Sequence, residues 1–546
     1  MALMDSPRCS ATTPRLNAPA RASSTHPNFR ATPPMRTPRR GHGTNTRRGV
    51  YSAPVVPPRP VRDGMSDPEG SLPAMNLPRL RPRAVLPLLL VGLLTACATS
   101  RPALGPVDAS GPEVWRSRGY GWLLTVTPEG LRLHHETAAG CSPDPASSSE
   151  LKQLFGVQAP GPSEGVRDFF PAPGETRYRF DRIAALPEDC DRHTVWSAPK
   201  LFNVFQATFA EHYAYFPERG PEWLARLEAE RPRVSPGMEG RALFTLFAEA
   251  LRTLGDAHVA LVADDASSDT LTYEERATGT FALLEQEARR TGRTPKAVQK
   301  EWLGAYRDGI LQTVLRGQGH HVANQRVFWG FAAPGVGYLN VMTMGGFVAA
   351  TDGDDATPEQ ELAALEPVLD EAMAAFAGAT AVIVDVSNNR GGHDVVARAI
   401  AARFADRPRL AYSKWAKGAK DVPPQEFILT PTSRPAFHGP VHLVTSDITV
   451  SAGEVFTLAM RALPQVRHVG TRTRGSFSDV LVKPLPNGWT VHLSNEHYTD
   501  PKGEDFEARG APPQQPLDVF PEADLSHGHA RAMRALADSL EARGAK

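Results

Sequence analysis

The chain has 546 residues and carries 60 lysines and arginines against 60 aspartates and glutamates. This balance excludes the strong positive charge that a bulk attraction to nucleic acid or to anionic lipid requires, so we expect no nucleic-acid partner. The length suits two to four domains with a sizeable hydrophobic core.

The first 97 residues have the character of an extension and a signal. Residues 1–74 are rich in Arg, Pro and Ser without apolar periodicity, which predicts a disordered or mis-annotated extension. Residues 75–97 combine a positive start with an apolar run too short to span a bilayer. The run ends in LTAC, which resembles a bacterial lipobox and implies lipidation of Cys97. An ordinary secretory signal with a chance Cys is the alternative.

The lipobox implies a protein of the cell envelope that is anchored to a bacterial membrane through its lipid. It leaves open which membrane holds the anchor and whether the chain faces the periplasm or the cell surface. Residues 98–112, rich in small residues and Pro, are interpreted as the linker that follows the anchor.

A small β-rich module is predicted over residues 113–195. Residues 120–126 and 131–135 have the alternation of two short strands around a turn, which is typical of a hairpin. Cys141 and Cys190 lie in polar, loop-like contexts. In an oxidising compartment they are the natural disulfide pair, and two free thiols are the alternative.

Helical periodicity predicts a subdomain over residues 196–265, with an aromatic stripe that indicates core packing. Its last helix stops at Gly255, and His258 comes just before an apolar strand. A histidine held by rigid elements on both sides is a candidate general base, and a structural histidine is the alternative. Residues 266–334 are interpreted as a mixed helical insertion without a recognisable PDZ-like module.

Strand and helix patterns alternate in residues 335–525, and a last helix is predicted over 526–546. Strands are predicted at 335–341, 381–386 and 441–445. Such repeated units predict a mostly parallel sheet, in which the turns after the strands meet at one edge. Sites in open α/β sheets form at this edge.

A serine follows one of these strands directly. Residues 449–454, TVSAGE, put Ser451 at the mouth of a helix that stops at Pro464. The helix dipole and the free N–H groups there can receive an oxyanion, although a simple N-cap is the alternative. Glu454 is expected to be structural. Thr449 stands where a G-x-S-x-G elbow has Gly, which argues against an α/β-hydrolase esterase.

A pair of glycines ends the preceding strand–turn unit, residues 385–392, DVSNNRGG. Gly391 and Gly392 let backbone N–H groups approach a ligand closely. The phosphate-binding glycine motifs are missing, so an oxyanion hole built from these glycines and Ala452 fits better than a nucleotide site. No metal-ligand spacing stands out in the sequence, and neither a metal nor another cofactor is expected.

Four segments in order resemble the S41 family of serine peptidases, which includes tail-specific proteases, the tricorn core and the retinoid-binding protein repeats. They are LGDAH at 254–258, GYL at 337–339, DVSNNRGG at 385–392 and TVSAGE at 449–454. The resemblance covers about residues 200–521. It implies an α/β (α+β multi-domain) fold with a ClpP/crotonase-like core, and hydrolysis of peptide or protein substrates.

The family divides by its general base. A Ser/Lys dyad would have Lys 25 positions after the serine, where this chain has Ser476, and Lys483 is out of register. The tricorn-like Ser/His/Glu branch matches better. It implies Ser451 as nucleophile, His258 as general base and Glu507 as the carboxylate that orients the imidazole.

The chain also departs from the family at three positions. Members usually have Gly where Ala508 stands and Asp where Gln514 stands, and the tricorn pattern has Ser where Ala257 stands. The retinoid-binding repeats imply the alternative of a non-catalytic binding protein for a hydrophobic ligand or a peptide. The resemblance leaves the substrate and the oligomeric state open.

Overall fold

The computed structural model describes residues 105–190, 196–264, 270–273, 277–349 and 356–544. The predicted extension, the signal and Cys97 lie outside these ranges. Within them, no helix is both long enough and apolar enough to cross a membrane.

The N-terminal part is an eight-stranded sheet in which every neighbouring pair is antiparallel, in the order β1-β6-β7-β8-β2-β3-β4-β5. Its elements are β1 (Gly105–Pro106), β2 (Glu113–Ser117), β3 (Trp122–Thr127), β4 (Gly130–Thr137), β5 (Gly140–Pro143), α1 (Ser148–Phe155), β6 (Val157–Pro160), β7 (Val166–Phe170) and β8 (Tyr178–Ile183). The predicted hairpin is β3 and β4. Cys141 and Cys190 form a disulfide with their Cα atoms 4.7 Å apart.

A helical layer packs on this sheet. Its elements are α2 (Ala198–His212), α3 (Phe216–Arg219), α4 (Trp223–Ala229) and α5 (Gly240–Arg252). The predicted aromatic stripe is core: the rings of Phe205 and Phe247 stack with centroids 3.9 Å apart, and both side chains are fully buried. After α5 the backbone turns through Gly255, whose φ is +57°, and this turn presents His258.

A second group of elements follows the helical layer in the chain. They are β9 (Ala260–Asp264), β10 (Thr270–Tyr273), α6 (Gly279–Thr291), α7 (Pro295–Asp308), β11 (His320–Val322) and β12 (Val327–Ala333). Helix α7 begins where Thr294 caps the amide of Ala297. Such a cap satisfies one of the free N–H groups of the first turn.

The rest of the chain builds a seven-stranded sheet in the order β11-β12-β13-β14-β17-β18-β22, in which the strands from β13 to β22 run parallel. The remaining elements are β13 (Val336–Val341), α8 (Pro358–Ala375), β14 (Ala381–Asp385), α9 (Asp394–Ala402), β15 (Arg409–Ala416), β16 (Gln425–Leu429), β17 (Val441–Thr445), α10 (Ala452–Arg461), β18 (Val466–Gly470), β19 (Val480–Pro484), β20 (Thr490–Ser494), β21 (Glu496–Thr499), β22 (Gln515–Pro516) and α11 (Gly528–Gly544). The predicted α/β fold is confirmed.

A smaller, four-stranded sheet pairs the strand that follows His258 with strands that come after Ser451 in the chain. Its order is β10-β9-β20-β19, so β9, which follows His258, pairs with β20. The segment that leads into β19 comes directly after the nucleophile unit of the main sheet. The pairing therefore places His258 beside a segment that follows Ser451 in the fold.

Asp385 has a structural role, because its carboxylate links the main sheet to the C-terminal helix. Its buried carboxylate accepts hydrogen bonds from Tyr338 at 2.6 Å and from the Ser387 amide at 2.9 Å, and it pairs with His529 Nε2 at 2.7 Å. Burial alone would raise the pKa of Asp385, but His529 and Tyr338 outweigh burial and hold the pKa below its ordinary value. The C-terminal helix α11 is thereby tied to the centre of the sheet.

Candidate active site

Ser451 occupies a strained backbone position between β17 and α10. Its φ is 58° and its ψ is −129°, a conformation that residues other than glycine rarely adopt. Neighbouring contacts hold it there: the Thr449 hydroxyl donates to the Val386 carbonyl at 2.8 Å, and the Val450 amide donates to the Asn389 carbonyl at 3.2 Å. Such strain clusters at functional sites because it fixes a reactive side chain in place.

The glycine turn lies directly against this serine. A Cβ on Gly391 would come within 2.7 Å of Ser451 Cβ and 3.2 Å of its Oγ. The Gly391 amide, a predicted oxyanion donor, instead donates to Asn389 Oδ1 at 2.9 Å. The amides of Gly392 and Ala452 are therefore the better candidates, since Ala452 is the first residue of α10 and has no intrahelical acceptor.

His258 is partly buried, and its own backbone amide donates to Asp256 Oδ1 at 2.9 Å. Its Nδ1 is buried without a hydrogen-bond partner among the described residues. Burial lowers the pKa of His258 and Arg219 lowers it further, while Asp256, Asp479 and a hydrogen bond to the Ser478 backbone oppose the shift. The imidazole is therefore neutral at neutral pH, which is the form that a general base needs.

The segment Gly475–Ser478 lies near both predicted catalytic residues. The Ser451 amide donates to the Ser476 carbonyl at 3.1 Å, and the Ser478 backbone lies close enough to the His258 imidazole to raise its pKa. Positions two residues apart are separated by at most about 7 Å in an extended chain. Ser451 and His258, remote in the sequence, therefore lie near the same short segment.

Two buried carboxylates hold this segment by four consecutive amides. Glu454 accepts the N–H groups of Gly475 at 2.7 Å and Ser476 at 2.8 Å. Glu507 Oε2 accepts those of Phe477 at 2.6 Å and Ser478 at 3.2 Å. Burial raises the pKa of Glu454 to about 7 and raises that of Glu507 well above its ordinary value.

Glu507 does not reach the imidazole in the contacts that the structure shows. Its Oε2 holds the two amides, and its Oε1 accepts a hydrogen bond from Arg219 at 2.9 Å. Arg219 and Asp256 are functional candidates that sequence reasoning missed. Asp256 could have been found two positions before the histidine, but no sequence signal marks Arg219.

Ala508 stands at a position where the resembled family usually has glycine, and its backbone conformation explains that preference. Ala508 has a φ of 59°, in the left-handed region that favours glycine, and its amide donates to the Gly475 carbonyl at 2.9 Å. The chain therefore accepts local strain, on the order of 1–2 kcal/mol, to keep this contact. By contrast, Gln514 accepts the amide of His468 at the end of the sheet, away from the contacts described above.

Lys483, which would be the general base of a Ser/Lys dyad, contacts the N-terminal sheet. Its buried ammonium donates to the carbonyls of Tyr120 and, at 3.0 Å, of Gly121. We expect the Lys483→Met variant to keep kcat/KM within about threefold of the wild type, because this lysine makes no contact with the Ser451 turn in the described structure. Peptide hydrolysis by the folded variant measures this.

Stability provides a second readout of the same variant. Burial lowers the pKa of Lys483 to about 7, far below its ordinary value. Between that pH and about 10.5, the unfolded chain binds a proton that the folded chain does not, so wild-type stability rises with pH. Lys483→Met should lose this rise. A collapse of activity without loss of fold would contradict the placement of Lys483 outside the site.

The architecture and the site define a class. A serine on a strained turn at the carboxyl edge of a parallel sheet is an arrangement typical of serine hydrolases. Residues 335–517 match the model of peptidase family S41. This is the family that the four sequence segments resemble. No curated protein matches the sequence.

Several solved structures are similar to this chain. A putative peptidase from Parabacteroides merdae is 22% identical with a TM-score of 0.49, over 63% of this chain and 97% of its own. Mature CPAF is 13% identical with a TM-score of 0.45, over 64% and 98%. The photosystem II D1 C-terminal processing protease is 14% identical with a TM-score of 0.37, over 63% and 99%. All three TM-scores lie below 0.5, so the family assignment depends on the family model.

Proposed function

We propose that this protein is a serine endopeptidase that cleaves peptide bonds by acyl transfer through Ser451, with His258 as the general base. The observation that carries the proposal is the shared segment Gly475–Ser478, which accepts the Ser451 amide and whose Ser478 backbone lies close enough to the His258 imidazole to raise its pKa. Three further features support it: the strain at Ser451, the side-chain-free approach of Gly391, and the lowered pKa of His258.

The proposed reaction proceeds in two halves. His258 takes the proton of the Ser451 hydroxyl as Oγ attacks the substrate carbonyl, and the amides of Ala452 and Gly392 hold the oxyanion. When the tetrahedral intermediate collapses, the C–N bond breaks and His258 gives its proton to the departing amine. Water then attacks the acyl-enzyme by the same route, which releases the acid and restores the serine.

Glu507 is proposed to act as the third member of the site by holding the backbone that lies near the imidazole. It accepts the amide of Ser478, and the backbone of the same residue lies close enough to the imidazole to raise the pKa of His258. Holding the backbone of Ser478 limits the directions open to the histidine ring, which is the task that a triad carboxylate performs by direct contact.

A fluorophosphonate probe tests the proposal. We expect it to label the folded protein on Ser451 and to label Ser451→Ala not at all, because the probe reacts only with an activated serine. Mass spectrometry of the adduct identifies the residue. Ser539→Ala is the matched control, because this serine lies in α11 and its hydroxyl donates to the Leu536 carbonyl.

The alternative outcome is equally specific. Folded wild-type protein that stays unlabelled, and that does not cleave a mixed peptide library, would favour a non-catalytic binding protein for a peptide or hydrophobic ligand. Labelling of both serine variants to the same extent would place the nucleophile elsewhere in the chain.

We also propose that the chain is exported and tethered through Cys97 to a bacterial envelope membrane. The disulfide between Cys141 and Cys190 supports export, because such bonds persist in oxidising compartments. Metabolic labelling with a fatty-acid analogue, compared between the wild type and Cys97→Ser, measures the anchor directly.

A further inference from the structure

Arg219 lies between the turn that carries His258 and the segment Gly475–Ser478 that holds the Ser451 amide. It ends the short helix α3, and its side chain is only 7% exposed. On the histidine side, it donates to the Gly255 carbonyl, and its Nε lies 3.6 Å from Asp256 Oδ2. It thus contacts the turn from which His258 projects.

The same guanidinium reaches the nucleophile side. Its Nη2 donates to the Gly475 carbonyl at 2.5 Å and to Glu507 at 2.9 Å, and it lies 3.4 Å from Ser476 Oγ. These groups belong to the segment that holds the Ser451 amide and to the carboxylate that fixes Ser478. One side chain therefore links the turn that precedes His258 to the backbone segment that holds the Ser451 amide.

The chemistry of these contacts requires an arginine. The guanidinium is a planar fork with five N–H donors, and it can serve two carboxylates and two carbonyls on different sides at once. Burial alone would lower the pKa of Arg219, but Asp256 and Glu507 outweigh burial and raise the pKa, so the group stays a cation. A lysine has a single ammonium and cannot span both sides.

We propose that Arg219 is a positioning residue that fixes the His258 turn against the segment Gly475–Ser478, and so sets the geometry between base and nucleophile. The inference rests on the proposed function. It follows from the hydrogen bonds on both sides: Asp256 holds the His258 amide, and Glu507 holds the Ser478 amide. A change at Arg219 therefore shifts both catalytic side chains relative to each other.

Arg403 is a matched control. It is a fully buried arginine that bridges two carboxylates, those of Glu366 and Asp370, and it directly follows α9 in the chain. Removing either arginine takes a cation away from two carboxylates and should lower the melting temperature, although in Arg403→Gln the carboxylates of Glu366 and Asp370 still pair with Arg434. Only the change at Arg219 should alter the state of His258.

The experiment compares Arg219→Gln, Arg219→Lys and Arg403→Gln in the full chain. It measures kcat on a peptide substrate and the pKa of His258 by NMR with selectively labelled histidine, assigned with His258→Gln. The charged or titratable groups that influence His258 are Asp256, Asp479 and Arg219, and His492 lies close enough for its pKa to be lowered by His258. The NMR measurement requires no turnover.

We expect Arg219→Gln to lower kcat about 100-fold, the effect of a small misplacement of reacting groups. It should raise the pKa of His258, because the cation that lowers it is gone. Arg219→Lys keeps the charge, so the pKa should stay near that of the wild type while kcat still falls. Arg403→Gln should change neither quantity.

The proposal is overturned if folded Arg219→Gln has wild-type kcat and histidine pKa, or if Arg403→Gln reproduces both changes. Should Arg219→Gln fail to fold, Arg219→Lys decides, and a kcat within threefold of the wild type would overturn the proposal. A shifted histidine pKa in a wild-type protein that cleaves nothing would keep the coupling through Arg219 and refute the peptidase function instead.

Discussion

Replacing His258 with glutamine is expected to lower kcat/KM by about 10³- to 10⁴-fold while leaving the fold intact. Glutamine keeps a polar side chain of similar reach but cannot take a proton from Ser451. The backbone bond between the residue 258 amide and Asp256 Oδ1 at 2.9 Å is independent of the side chain, so the turn should survive. Steady-state hydrolysis, with circular dichroism of the same samples, measures both effects.

The matched control for this change is a neighbouring histidine. His492 lies on β20 opposite Ala260, and burial lowers its pKa to about 4, with a further contribution from His258. His492→Gln should retain activity within a few-fold of the wild type, because an imidazole that weakly basic is a poor proton acceptor. The opposite pattern, with His492 essential and His258 dispensable, would reassign the base.

A single methyl group at Gly391 is expected to lower kcat/KM at least 100-fold. In Gly391→Ala, the added Cβ would lie 2.7 Å from Ser451 Cβ, 3.1 Å from the Val450 carbonyl and 3.2 Å from Ser451 Oγ. Contacts this short force the nucleophile or the glycine turn to move. The rate of fluorophosphonate labelling should fall in parallel, since it depends on the same serine.

Gly488→Ala separates this contact from backbone strain. Gly488 has a φ of +87°, close to the +84° of Gly391, and a Cβ there would meet nothing within 4 Å. Both variants should lose about 1–2 kcal/mol of stability from the left-handed backbone, and only Gly391→Ala should lose activity. Equal activity in the two variants would mean that the glycine turn does not approach the nucleophile in solution.

The units of strand, turn and helix could be predicted from the sequence because each is decided locally. The strand predicted at 441–445 is β17, and the helix predicted to start at Ser451 and stop before Pro464 is α10, Ala452–Arg461. Apolar runs and a helix-breaking proline act within a few residues. The parallel order of β13, β14, β17 and β18 follows from repeating such units.

The partners of the polar groups could not be predicted in the same way. The amide of Gly391 donates a hydrogen bond to the side chain of Asn389, two residues earlier. Glu507 accepts a hydrogen bond from Arg219 rather than from the imidazole of His258. Each choice depends on the distance between segments that are remote in the chain. A resemblance between motifs carries residue identities, but not which of several nearby donors a buried carboxylate accepts.

The sequence by itself determined the fold class and the order of the local elements, and it supplied the prediction of a serine, a histidine and a glutamate for the candidate site, because periodicity, turn chemistry and motif spacing are written along the chain. Only the tertiary structure decided that β9 pairs with β20, that the segment Gly475–Ser478 lies near both Ser451 and His258, and that Arg219 hydrogen-bonds to both the Gly255 carbonyl and Glu507. The physical reason is that buried charges and amides must find partners where the folded chain places them, whatever their separation in sequence.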